Sequence, residues 1–181
     1  MKKNQTESSE LQRQSIDLSY HSSEDRLNLR IRQKNKKMSW WLTRRLTVTL
    51  VQHWIKKLEE IGLPQVAISN MSPIDRNLHQ EHLLSLEFDG PKQKIYSSNQ
   101  VEAIQAELIT EITLVISKID CQFTVKHLEN ECKILLTRKE AHALLEMFAL
   151  KSIEAGWLKL PKWPEWLGIN QILKDDQATS V

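Results

Sequence analysis

The stretch LTRRLTVTLVQHWIKKLEEIG at 42–62 has a counterpart, LTRKEAHALLEMFALKSIEAG at 136–156, that matches it without a gap. Leu42, Thr43, Arg44, Leu50, Lys57, Glu60 and Gly62 meet Leu136, Thr137, Arg138, Leu144, Lys151, Glu154 and Gly156. Arg45 meets Lys139, Val51 meets Leu145 and Trp54 meets Phe148, so charge and bulk are kept where identity is not. A duplication constrains the fold strongly. Whatever the first copy forms, the second forms too, and the two must cover each other's apolar surfaces.

The second copy is the easier to read. Its run from Arg138 is rich in strong helix formers. Thr137 and Glu140 have the spacing of a capping box, and Gly156 stands where a helix stops. By alignment Thr43 caps a helix that ends near Gly62, although Leu46 replaces the capping glutamate. The β-branched run LTVTLV would by itself suggest a strand. The three-and-four spacing of Leu46, Leu50, Trp54, Leu58 and Ile61 overrules it in favour of a helix.

Strands precede each helix. In RLNLRIRQ, Leu27, Leu29 and Ile31 alternate with Arg26, Asn28, Arg30 and Arg32, the pattern of a half-buried strand with a basic outer face. QKNKK then turns the chain into MSWWLT. In the second half QFTVKHL, ENE and CKILLT play the same parts. An earlier strand fits each copy, SIDLSY at 15–20 and ITLVISKI at 112–119. The expected fold is therefore α+β. It is a β-β-β-α unit used twice, with antiparallel sheets, one amphipathic helix per repeat and pseudo-twofold symmetry. The expected layout is a disordered tail at 1–14, repeats at 15–62 and 109–157, a linker at 63–108 and a Trp- and Pro-rich tail at 158–181. Within the linker LLSLEF at 83–88 reads as a strand closed by DGPK, and NQVEAIQAELI as a short helix or the lead into the next strand.

Composition narrows the class of function. Net charge is only +2, so any attraction to a polyanion must come from local clustering. No apolar run is long enough to span a bilayer, and the lysines near the N-terminus are not followed by the apolar core of a signal peptide. Two cysteines, Cys121 and Cys132, fall at different positions of neighbouring strands, which suits reduced thiols and a cytoplasmic protein without a membrane partner. Only four glycines occur, and no phosphate-cradling or nucleophile-elbow motif is present, so no cofactor and no catalytic residue is expected. His79 and His82 flank Glu81 in HQEH, a spacing that matches no zinc motif, and they read as surface residues rather than metal ligands. Cys132 has no evident activating partner.

Three features remain as candidate sites. Between residues 26 and 45 the bases Arg26, Arg30, Arg32, Lys34, Lys36, Lys37, Arg44 and Arg45 stand without an acid, with Trp40 and Trp41 among them. Such a face attracts phosphates, and its aromatic rings stack on unpaired bases for about 1–3 kcal/mol each. The plainer alternative is a solvated strand face with one tryptophan turned into the core. Arg44 and Arg138 each stand at a helix start, against the macrodipole. They either hold an anion with the free backbone N–H groups or pair internally, Arg44 with Glu24 or Asp25 and Arg138 with Glu129 or Glu131. Finally, GWLKLPKWPEWL places Trp157, Trp163 and Trp166 on a stiff segment. That segment either docks on its own core or presents an adhesive patch to a partner or a second copy.

The run from EDRLNLRIR through WLTRR to an amphipathic helix, with a weaker second copy ending in EAGW, resembles a group of bacterial proteins of about this length with no known activity. That resemblance covers residues 15–168 and implies no catalytic or binding residues. In architecture, strands followed by a helix in duplicate are similar to the Pur-type and Whirly-type single-strand-binding folds, which carry four strands per helix where three are legible here. The expected function is that of a non-enzymatic interaction protein that binds another protein or itself. Its alternative is a module for single-stranded RNA or DNA working through the basic and aromatic stretch.

Overall fold

A computed structural model describes residues 15–33, 36–61, 78, 80, 105–158, 163–167 and 169. The first unit runs β1 (Ser15–His21), β2 (Arg26–Gln33), β3 (Lys36–Thr43) and α1 (Arg44–Ile61). A short β4 (Glu107–Leu108) leads into the second, β5 (Glu111–Ile116), β6 (Asp120–His127), β7 (Asn130–Thr137) and α2 (Arg138–Glu154). This is the duplicated α+β fold that the repeat predicts. Each unit is an antiparallel meander of three strands followed by a helix, and the two helices pack together.

The repeat extends into the sheet register. Arg26 pairs with Thr43 in the first sheet, and their counterparts Asp120 and Thr137 pair in the second. The first hairpin differs by two residues. Tyr20 faces Leu27, while the equivalent facing pair is Ile116 and Cys121, and the His21–Arg26 pair is an addition of the first unit. Because side chains alternate with a period of two, an even insertion leaves the inner face unchanged. Ile16 and Leu18 therefore point into the core in one unit as Ile112 and Leu114 do in the other.

Two strand ends differ from the sequence expectation. β5 stops at Ile116 rather than Ile119, because Ser117 closes the turn: its backbone N–H donates to the Asp120 carbonyl at 2.8 Å. Its hydroxyl also accepts from the Ile119 and Asp120 N–H groups. The β6–β7 turn falls on Leu128 and Glu129, ahead of the expected ENE, with Leu128 held at φ 49. NQVEAIQAELI ends in β4, which runs parallel to β3 and widens the first sheet to β1-β2-β3-β4. The next two residues join the sheets: Ile109 N–H donates to the Trp41 carbonyl and Thr110 N–H to that of Lys126. The linker strand at 83–88, Gly62, His79, His82 and both chain ends lie outside the described residues.

The helix ends follow the sequence closely. Thr137 and Glu140 make a complete capping box. Thr43 accepts from the Leu46 N–H at 3.3 Å, so α1 has the cap without the reciprocal glutamate. At the far end of α2, Gly156 N–H donates to the Ile153 carbonyl and Trp157 N–H to that of Ser152, the paired bonds of a Schellman motif. Gly156 sits at φ 67, where an added Cβ would meet no atom within 4 Å. Its replacement is therefore opposed by the backbone conformation and not by crowding.

Packing between the units is reciprocal. α1 lies on β2 and β3 of its own sheet and on β5 of the other, while α2 lies on β6, β7 and β1. At the centre Trp54 of α1 stacks on Phe123 of β6 at 5.7 Å, and Phe148 of α2 packs on both. Trp54 and Phe148 are repeat counterparts, and both are fully buried. Trp54 Nε1 has no hydrogen-bond partner there. A buried unmade N–H costs about 1–3 kcal/mol. Trp54→Phe, which copies the other repeat, is thus expected to stay within about 1 kcal/mol of the native protein, because removing that donor offsets the lost area. Trp54→Ala is expected to lose about 3–5 kcal/mol. Urea denaturation of the two variants checks the contrast. In the same measurement Thr137→Ala should cost about 1 kcal/mol and Gly156→Ala about 1–2 kcal/mol.

Candidate nucleic-acid interface

Alternation along β2 and β3 decides which of the predicted residues share a surface. Leu27, Leu29, Ile31, Trp40 and Leu42 face the helices and are buried. Arg26, Arg30 and Arg32 share the opposite face with Lys37, Ser39, Trp41 and Thr43. β1 adds Ser15, Asp17, Ser19 and His21 beside them. Across the sheet the rows read Ser15–Arg32–Lys37, Asp17–Arg30–Ser39, Ser19–Asn28–Trp41 and His21–Arg26–Thr43. Four bases and one acid thus occupy one face of three strands.

Exposure differs among these bases. Arg30 is half-buried and bound to Asp17 at 2.6 Å. An ion pair of this exposure contributes about 0–1 kcal/mol and removes Arg30 from the charge available to a ligand. Arg32 and Lys37 are exposed and Arg26 half-exposed. Beneath them Asn28 and Ser39 are buried and satisfy each other, Asn28 Nδ2 donating to Ser39 Oγ at 3.0 Å. Trp41 is half-exposed, with the His21 ring against it edge-on at 4.9 Å. His21 is in turn within 3.3 Å of the Ser19 hydroxyl.

The remaining predicted residues are distributed as follows. Trp40 turns inward and is buried, so it belongs to the core and not to the face. Lys36 falls on the inner parity but at the strand start, where it is exposed. Lys34 lies outside the described residues. Arg44 and Arg45 are exposed at the start of α1, whose first turn holds no acid. The expected pairing of Arg44 with Glu24 or Asp25 is not formed among the described residues. Asp25 instead accepts from the Tyr20 hydroxyl at 3.1 Å and from Trp157 Nε1 at 2.6 Å. Arg138 donates to the Ser117 carbonyl at 3.5 Å, and Glu131 is taken by Lys133 at 2.8 Å.

Of the two readings of the tail, the described residues match docking on its own core, since Trp157, Trp163 and Trp166 are buried. Trp157 closes on the first hairpin, meeting the Tyr20 ring edge-on at 5.5 Å as well as Asp25. Trp166 spans the helices, with its ring against His142 of α2 and its Nε1 on Glu59 of α1. These three tryptophans pack on the protein's own core.

Two features were not foreseen. A groove of about 280 Å³ opens between α1 and β5, lined by Leu46, Leu50, His53, Ile112 and Leu114 among others. The outer face of the second sheet carries exposed Val115 and Leu135, which their apolar neighbours in ITLVI and CKILLT did not single out. Both cysteines are free and buried. Cys121 is fully buried, and that burial pushes its thiol up from 9.0 to about 12. Burial also raises Cys132. Among the described residues no three His, Cys, Asp or Glu side chains gather as a metal site, and no helix is long and apolar enough to cross a membrane.

Comparison with family models, curated proteins and solved structures returned no match.

The thiol shift makes a chemical prediction. The native protein should resist alkylation by iodoacetamide at pH 8 and take up two equivalents after unfolding, as counted by mass spectrometry. The raised Cys121 pKa also fixes the sign of its linkage to stability. Its contribution is fully present below the unfolded value of 9.0 and is lost as pH rises toward about 12.

Proposed function

We propose that the protein is a non-enzymatic binding module that holds single-stranded nucleic acid on the outer face of its first sheet. The observation that carries this reading is the half-exposed Trp41 on a three-stranded face that bears Arg26, Arg30, Arg32 and Lys37 against a single acid, Asp17. Cations supply attraction to phosphates, and a presented indole supplies the stacking surface that unpaired bases need and duplex bases do not offer. Arg26 stands in the row next to Trp41, Arg32 and Lys37 stand two rows away on the same face, and Arg44 and Arg45 extend the charge past the end of β3.

The repeat provides an internal control. The counterparts of Arg26, Arg30, Arg32, Lys37 and Trp41 are Asp120, Thr124, Lys126, Glu131 and Leu135. The two units share their core positions and their register but not this surface. Charge clustering of this kind is therefore a property of one face and not of the fold. The buried, high-pKa thiols and the lack of a catalytic constellation in the sequence support binding rather than catalysis. The second reading, association with protein, is no longer carried by the tail tryptophans.

The test is fluorescence anisotropy of a labelled oligo(dT) and oligo(U) at low and moderate salt, with a duplex of equal length as control. With three to five phosphates engaged, log affinity should fall with log salt at a slope of about −2 to −3.5. Trp41→Ala should weaken binding by about 1–3 kcal/mol. Arg32→Glu with Lys37→Glu should flatten the slope. Absence of binding at low salt, or binding indifferent to Trp41→Ala, refutes the proposal.

A further inference from the structure

The outer face of the second sheet poses a separate question. Val115, Gln122 and Leu135 form one row across β5, β6 and β7. By the repeat they stand where the first sheet has Ser19, Asn28 and Trp41. The first sheet continues that row into a fourth strand through the pairing of Trp41 with Leu108. Among the described residues no strand flanks β7. Val115 is 55% exposed and Leu135 68%, and Ile119, at the tip of the β5–β6 turn, is 82% exposed. Two solvated aliphatic side chains thus stand at the ends of one row, with Gln122 between them.

We propose that this face joins two copies of the chain, sheet against sheet, about a twofold axis that runs along the Val115–Gln122–Leu135 row. Charge selects both the occupant and the direction. On the side of the row toward the β6–β7 turn lie Thr113–Thr124–Lys133 and then Glu111–Lys126–Glu131. On the other side lie Asp120 with Thr137 and, at the turn, Lys118. A twofold along the strands would stack Glu111 on Glu131 and Lys126 on Lys126 across the interface. A twofold along the row brings the end bearing Glu111 over the turn bearing Lys118. The face is thus complementary to itself in one orientation and repulsive in the other, as an isologous interface requires. Its apolar row closes on itself, Val115 on Val115 and Leu135 on Leu135.

Size sets the strength. Three strands about 4.8 Å apart and about six residues long present roughly 300 Å² of face. That is below the roughly 800 Å² per partner of a stable interface, so the dimer is a weak one whose population rises with concentration. It leaves the basic face of the first sheet free, on a different sheet of the same molecule. A dimer would offer two such faces to one strand and raise avidity without a new contact.

Sedimentation velocity of the full chain across micromolar to millimolar concentration reads the proposal directly. The expected result is a reversible monomer–dimer equilibrium. Leu135→Glu should weaken it at least about tenfold while leaving the circular dichroism spectrum and thermal midpoint unchanged, because Leu135 is exposed. Lys118→Glu should weaken it too, and adding Glu111→Lys to that variant should restore it. A monomer at every concentration overturns the proposal, as does a dimer indifferent to Leu135→Glu. A dimer that loses strength with Leu135→Glu but is not restored by the charge swap overturns the twofold along the row. Binding of the oligonucleotide by Leu135→Glu at low protein concentration reads the first-sheet site separately, so the two proposals fail independently.

Discussion

The fold rests on the exchange of cover between the two units. Neither sheet alone covers its own helix, since each helix also packs on a strand of the other unit. α1 reaches over to β5 and α2 to β1, so each helix closes the first strand of the other unit. Trp54, Phe123 and Phe148 fill the junction, contributed by a helix of the first unit and a strand and helix of the second. The capping of Thr43 and Thr137, the shared register and the two-residue difference in the first hairpin all serve to present the same inner faces to this junction.

That arrangement frees the outer faces to diverge. Buried inner positions of the strands are held by contact with the partner unit, and they remain apolar in both copies. Outer positions meet solvent, and there the first unit accumulates Arg26, Arg32, Lys37 and Trp41 while the second carries Val115, Leu135 and mixed charge. One sheet therefore presents cations and a ring face, and the other a small aliphatic row with self-complementary ends. The C-terminal tryptophans pack on the same core. Trp157 is tied to Asp25 of the first hairpin, and Trp166 bridges α1 and α2.

Much of this was legible where it depends on neighbours along the chain. The strand β2 follows from the strict alternation of RLNLRIRQ, and that alternation correctly put one of Trp40 and Trp41 inside. The helix α1 was legible only through its counterpart, since LTVTLV by itself favours a strand and the helix formers of the second copy settle the matter. The site was half legible. The basic face could be written down, but Asp17 lies on β1 and its capture of Arg30 depends on the register of a hairpin. The ion pairs expected for Arg44 were not found because Asp25 is drawn to Trp157, 132 residues away. An exposed Leu135 looks like any other residue in CKILLT, because nothing local tells an outer face that stays open from one that is covered.

The sequence by itself determined the duplication, the order of strands and helices, the caps and the alternation of faces. Those features are set by hydrogen bonds and side-chain periods that act within a few residues. Only the tertiary structure decided which unit each helix covers, that the three tail tryptophans turn inward, and which sheet face keeps its charge or its aliphatic row in solvent. These depend on contacts such as Trp54 with Phe123 and Trp157 with Asp25, between residues far apart in the chain. The free energy of burying a side chain there depends on what arrives from elsewhere, which no local pattern encodes.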